Sequence, residues 1–138
     1  MKFFVCQKCG HIAFDSAPQN CPVCHSTNFL EQSDAIKDPN TEGKEKHVPV
    51  ITVNSSCGMD NNCKDVNVKV GSTLHPMLED HFITWIDAYI NKKFLCRYQL
   101  TSSLQPIVTI HLKKELSGVI HVIENCNKHG RWISEINI

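Results

Sequence analysis

Two Cys-x-x-Cys pairs near the start of this chain constrain its folding more than any other feature. Cys6-Gln7-Lys8-Cys9-Gly10 and Cys21-Pro22-Val23-Cys24-His25 leave eleven residues between their cysteine pairs. Each pair turns the chain so that both thiolates face one point. Two opposed pairs supply four sulfurs in a tetrahedral array, which suits zinc or a single iron. A module of about 30 residues is too small to fold on a hydrophobic core alone, so the metal supplies much of its stability. Gly10 follows the first knuckle, where a residue that tolerates positive φ is useful. Spacing alone leaves two readings open: a zinc ribbon that holds the N-terminus together, or an iron centre that passes electrons.

The 138 residues include eight cysteines and eight histidines. A run of only three apolar residues, Phe3-Phe4-Val5, leads into Cys6, too few for the apolar region of a signal peptide. No stretch approaches the roughly 18 apolar residues of a membrane span. A cytoplasmic, reducing location is therefore expected, where such a cysteine set binds metal more readily than it forms disulfides. Lys+Arg and Asp+Glu both number 14, a formal net charge of zero. That balance argues against a nucleic-acid or anionic-membrane binder working through bulk charge.

Beyond the four-cysteine module (residues 1–32), residues 33–46 are polar, with Pro39, Gly43 and few apolar side chains, and read as a linker. From residue 47 to 138, short β-branched runs alternate with turn signals. The runs are Val48–Val53, Val66–Val70, Phe82–Ile90, Phe94–Leu100, Ile107–Leu112, Val119–Ile123 and Trp132–Ile136. Seven short strands at this spacing suggest a β-sandwich. Val66-Asn67-Val68-Lys69-Val70 has one apolar face at period two. The dense apolar content of Phe82–Ile90 would also fit a buried helix.

A second constellation lies in this larger region: His47, His75, His81, Cys126 and His129. Cys126 and His129 are three residues apart, a workable bite for one metal. His75 and His81 are six apart, about 20 Å in a fully extended chain, and can share a metal only if the chain doubles back. His75-Pro76 is a plausible place for a turn. His47 is expected to open the first strand. Spacing alone does not join these five residues.

A family resemblance does. Glu45-Lys46-His47-Val48-Pro49, Val70-Gly71…His75-Pro76-Met77…His81-Phe82-Ile83-Thr84-Trp85-Ile86 and Cys126-Asn127-x-His129-Gly130-x-Trp132 resemble desulfoferrodoxin and neelaredoxin, the superoxide reductases. The resemblance spans residues 45–132 in order. It implies an immunoglobulin-like, seven-stranded β-sandwich that carries a non-haem iron. Four imidazoles (His47, His75, His81, His129) would lie in a plane, with the Cys126 sulfur axial and the opposite face open. It further implies one-electron reduction of superoxide to hydrogen peroxide, with Lys46 steering the anion and Glu45 the sixth ligand of oxidised iron. A rubredoxin-type donor would return the electron, directly or by way of the four-cysteine centre. Four imidazoles and one thiolate are too many ligands for a typical tetrahedral zinc site, whereas iron takes a sixth partner readily.

The first module, with Cys6, Cys9, Cys21 and Cys24, is similar to the short rubredoxin-like domain of rubrerythrins, which favours iron over zinc there. It departs from desulfoferrodoxins, whose second half is usually an adjacent Cys-Cys pair. Homo-oligomerisation is compatible with this pattern. The alternative is a non-catalytic iron electron-transfer or metal-binding module with a structural zinc ribbon. Outside the motifs, Trp85 and Trp132 are expected to pack, and His111 and His121 to be structural or surface residues. His11 and His25 are surplus to the four thiolates. Cys57 and Cys63 are expected to be free thiols able to pair under oxidation, and Cys96 a small buried residue.

Overall fold

The computed structural model describes residues 1–138. At the N-terminus, β1 (Phe3–Cys6), β2 (Ile12–Phe14) and β3 (Phe29–Glu31) form a small antiparallel sheet in the order β2-β1-β3. The two knuckles are built alike. The N–H of Gly10 donates to the Cys6 carbonyl, and the N–H of His25 donates to that of Cys21, both at 2.9 Å. Gly10 (φ 78°) and His25 (φ 67°) both take the left-handed conformation that lets the chain leave the turn. His25 adopts it at the cost of a Cβ that Gly10 lacks.

One helical turn, α1 (Lys44–His47), leads into seven strands: β4 (Pro49–Asn54), β5 (Cys63–Val70), β6 (Ile83–Ile90), β7 (Lys93–Gln99), β8 (Ile107–Lys113), β9 (Val119–Cys126) and β10 (Gly130–Asn137). They form two antiparallel sheets, ordered β4-β5-β8 and β10-β9-β6-β7, in an immunoglobulin-like sandwich. Val66, Val68 and Val70 turn inward from β5, as their period of two requires. They meet Ile86 and Ala88 of β6 and Ile120 and Val122 of β9 in the main core. No helix is long and apolar enough to cross a membrane.

Strand β6 is the segment whose apolar density also suited a helix. Both of its faces are covered. Ile86 and Ala88 point into the main core, while Trp85 and Tyr89 point outward beneath Val5, Ile12 and Phe14 of the N-terminal sheet. A strand buried on both faces loses the polar alternation that a half-exposed strand shows.

The N-terminal module thus packs on the sandwich through a second core of its own. Part of the expected linker belongs to it. Ala35 is only 7% exposed in this second core, and its carbonyl accepts a 3.2 Å hydrogen bond from Arg131 Nη1. The N–H of Lys37 donates to the Arg131 carbonyl at 2.9 Å. The expected boundary between residues 46 and 47 falls inside α1. His47 closes that turn rather than opening a strand, and β4 begins two residues later, at Pro49.

Candidate metal centre

The five separated residues of the larger domain meet at one end of the sandwich. In α1, His47 Nδ1–H donates to the Gly43 carbonyl at 2.8 Å. After β5, His75 is held by its own N–H to the Val70 carbonyl (3.0 Å), and its Nδ1–H donates to the Pro76 carbonyl (2.6 Å). The chain then doubles back at Leu78–His81, not at His75-Pro76. A reciprocal backbone pair closes this turn: Leu78 N–H to the His81 carbonyl at 2.9 Å, and His81 N–H to that of Leu78 at 3.1 Å. Cys126 ends β9 and His129 lies in the tight turn into β10, with Cys126 opposite Gly130 in the ladder.

The four imidazoles form a closed ring. Successive centroids are 4.8 Å (His47–His75), 4.8 Å (His75–His81), 5.0 Å (His81–His129) and 5.0 Å (His129–His47) apart. Neighbouring rings cross at 71° to 85°. Trp132 stacks on His47 at 4.8 Å and 19°, and its Nε1–H donates to the His129 carbonyl at 3.1 Å. Cys126 Sγ lies 3.6 Å from His129 Nδ1. Donor atoms of His47, His81, Cys126 and His129 all fall within 4.8 Å of one another.

The buried nitrogens show what this ring fits. Nε2 of His47, His75 and His81 is buried without a hydrogen-bond partner, a costly state for a polar atom unless a ligand satisfies it. For His47 and His75, the Nδ1–H bonds to carbonyls fix the tautomer that leaves Nε2 as a lone-pair donor. Burial depresses the pKa values of His47 and His81. It brings His75 down to about 4, with the neighbouring imidazoles adding to the effect. All three are thus neutral near pH 7, the form that binds a metal. Burial also pushes the Cys126 thiol up, so a cation at the centre is what would draw off its proton.

One face of the ring opens onto a cavity of about 630 Å³ lined by all four imidazoles, Glu45 and Lys46 but not by Cys126. Cys126, 1% exposed, sits on the protein side. Lys37 and Lys128 also line the opening. Sequence reasoning passed over both. Lys37 reaches the site only because residues 35–37 dock on β10. Lys128 was available to it, lying between Cys126 and His129.

Residues 39–135 match the family model described as desulfoferrodoxin. The chain belongs to the desulfoferrodoxin family. Residues 4–28 match a second model, the rubredoxin-like domain of rubrerythrin. A desulfoferrodoxin from Syntrophotalea carbinolica is 41% identical over 98% of this chain and 96% of that protein. The crystal structure of the superoxide reductase from Treponema pallidum superposes with a TM-score of 0.66 at 29% identity, covering 97% of this chain and 98% of that one. A point variant of the superoxide reductase (neelaredoxin) from Ignicoccus hospitalis gives 0.62 at 31% identity over 76% and 94%.

As a member of this family with a rubredoxin-like module, the chain carries a second donor cluster. Cys6 and Cys24 sulfurs are 3.5 Å apart, and those of Cys9 and Cys21 are 3.6 Å apart. All four lie within 4.8 Å of one another, a set of soft donors that suits tetrahedral iron or zinc. Burial raises the Cys6 thiol, but the backbone N–H groups of Cys9 and Lys8, with the Cys24 and Cys9 thiols, outweigh it and bring the group to about 7.

Proposed function

We propose that this protein is a superoxide reductase. It adds one electron and two protons to superoxide and releases hydrogen peroxide, at iron held by His47, His75, His81, His129 and Cys126. The observation that carries this reading is the closed ring of four imidazoles with a thiol on its buried side and a lysine-lined cavity on the other. When bound, ferrous iron supplies the single electron and becomes ferric.

The chain's own residues supply the rest. Lys46, with Lys37 and Lys128, outnumbers Glu42 and Glu45 at the mouth and favours the approach of a small anion. As a thiolate, Cys126 would donate electron density to iron held there, the lever a cysteine ligand supplies to haem iron. Trp132 fixes the His47 ring by stacking, and the Gly43 and Pro76 carbonyls fix two imidazole tautomers. Glu45 lines the same mouth and would be the carboxylate that holds oxidised iron from the open side. Iron in the four-cysteine module, with a rubredoxin-type donor in a reducing cytoplasm, is the proposed route for the returning electron. Zinc there would make that module structural.

Replacing Cys126 with Ser tests the assignment. The iron-loaded variant is expected to lose the sulfur-to-iron absorption of the oxidised protein and most of its rate with superoxide. Retention of both would overturn it.

A further inference from the structure

Outside these two clusters, a third group of donor atoms converges on the opposite end of the sandwich. Asp65 of β5 and His111 of β8 are directly paired across the ladder, and Cys63 stands two residues before Asp65 on the same outer face. Cys57 comes to them from the loop before β5. Cys57 Sγ and Cys63 Sγ each lie 3.5 Å from His111 Nδ1. Cys63 Sγ is 3.6 Å from Asp65 Oδ1, and His111 Nδ1 is 2.7 Å from that same oxygen. All four donor atoms lie within 4.8 Å of one another.

We propose that Cys57, Cys63, Asp65 and His111 form a third metal site, which binds zinc through two thiolates, one imidazole and one carboxylate. Bonds of ~2.0–2.3 Å at tetrahedral angles hold ligand atoms roughly 3.3–3.8 Å apart. Three of the measured separations fall in that range. They match the 3.5 Å and 3.6 Å sulfur separations within the four-cysteine cluster. The His111–Asp65 edge is shorter because a shared proton bridges it, and a cation entering there takes that proton's place. The N–H of Met59 points at Cys57 Sγ from 3.4 Å, a contact that stabilises a thiolate. Lys113, opposite Cys63 in the ladder, stands beside a set whose three anionic groups exceed the charge of a divalent cation.

Two soft sulfurs with nitrogen and oxygen select zinc over magnesium or calcium, which prefer all-oxygen sites. A disulfide between Cys57 and Cys63 would explain the nearness of the two sulfurs but not the placement of Asp65 and His111 around them. Zinc entry releases the two thiol protons to solvent and moves the bridging proton from His111 Nδ1 to Nε2, which leaves the imidazole neutral, so no redox partner is needed. The site lies at the Cys63 end of β5, whereas the imidazole ring begins just beyond its Val70 end. Seven residue steps at ~3.3 Å put the two roughly 23 Å apart along the strand. The bound ion would clip the loop around Cys57–Asn62 to the β5–β8 ladder without entering the superoxide chemistry.

The test uses the full-length, iron-loaded protein, purified under reductant without oxygen and dialysed against Zn2+ and, separately, Co2+. Metal is counted by elemental analysis, and the cobalt form is read for sulfur-to-cobalt absorption. One equivalent beyond the two family sites is expected. It should be lost in Cys57→Ser/Cys63→Ser and in His111→Ala, with the iron absorption and the rate with superoxide unchanged. The intact iron absorption certifies that each variant is folded. The same stoichiometry in the wild-type and variant proteins would overturn the site. So would a reduced wild-type chain that takes up no extra metal and forms only a Cys57–Cys63 disulfide in air.

Discussion

His11 Nδ1 of the N-terminal module lies 2.8 Å from Asp87 Oδ2 in the sandwich, and both side chains are almost wholly buried. The other carboxylate oxygen accepts from Arg97 Nε at 2.6 Å, and Arg97 Nη2 reaches Oδ2 at 2.9 Å. Arg97 also donates to the Cys9 carbonyl (3.1 Å), beside one of the four thiols, and lies 4.0 Å over the Trp85 ring. Tyr89 completes the seam by donating to the Ile12 carbonyl at 2.6 Å. The two modules are therefore joined by a desolvated ionic cluster set inside an apolar contact, and each module completes the other's hydrogen bonding.

Such a cluster is costly to break because without Asp87 the buried Arg97 guanidinium loses its counter-charge. Asp87→Ala strands Arg97 and His11, and is expected to destabilise the protein by roughly 3–5 kcal/mol. Denaturant midpoints of the iron-loaded proteins would measure this. The first loss of hydrogen-exchange protection is expected in residues 3–14. A variant with an unshifted midpoint would show that the modules are held by apolar contact alone.

Gly71 holds α1 in place by having no side chain. Its φ is +87°, and a Cβ there would sit 2.8 Å from both Cα and C of Lys46 and press on the Thr73 carbonyl. Gly71→Ala combines left-handed strain of about 1–2 kcal/mol with a backbone clash that both the Thr73 carbonyl and α1 must shift to relieve. The shift of α1 moves Glu45, Lys46 and His47 together. The expected outcome is a loss of about 2 kcal/mol or more, with a slower reaction with superoxide. An unaltered rate would mean that the site tolerates a displaced helical turn.

Much of this arrangement was legible in the sequence, and the parts that were not share one physical cause. Cys6, Cys9, Cys21 and Cys24 declare themselves because each pair's geometry is local. The strands of the larger domain show where one face is solvated, as in Val66–Val70. The His and Cys ring was legible only through family resemblance, because its members are brought together by a turn at Leu78–His81 and by the β9–β10 hairpin. Nothing local marks Asp87, His11 and Arg97 as partners, since module docking alone unites them. Likewise, Asp65 and His111 are 46 residues apart and meet only through the β5–β8 register.

Steering by the cavity lysines is testable through salt. A single charge at the mouth contributes modestly in water, so Lys46→Ala is expected to slow superoxide capture roughly threefold to tenfold at low ionic strength. It should also flatten the dependence of the rate on salt. Lys128→Ala should do less, because its Nζ already lies 3.8 Å from Asp80 Oδ2. Pulse-radiolysis rates across a salt series give both values, and equal slopes for the wild-type and Lys46→Ala proteins would remove Lys46 from steering.

A Glu45 variant is expected to separate capture from the oxidised resting state. Glu45→Ala should change the absorption of the oxidised iron without slowing capture, since the charge removed is negative and repels the incoming anion. The two readouts come from one stopped-flow experiment. An unchanged oxidised spectrum would exclude the carboxylate as a ligand.

His121 sets an acid limit on stability that is independent of either metal cluster. Its ring packs 5.4 Å from Phe14, Nδ1 has no partner, and Nε2 lies 3.7 Å from Glu135 Oε1. Burial lowers its pKa; Glu135 opposes that shift and Lys92 adds to it. With the folded pKa below the unfolded value of about 6.5, the unfolded chain binds more protons in that window, so stability rises with pH. The contribution is complete above about 6.5 and is lost as pH falls through the folded value. His121→Leu keeps the packing without the titration. Between pH 7.5 and 5.5, the urea midpoint of the wild-type protein is therefore expected to fall further than that of the variant. Parallel pH profiles would mean that Glu135 and solvent accommodate the imidazolium without cost.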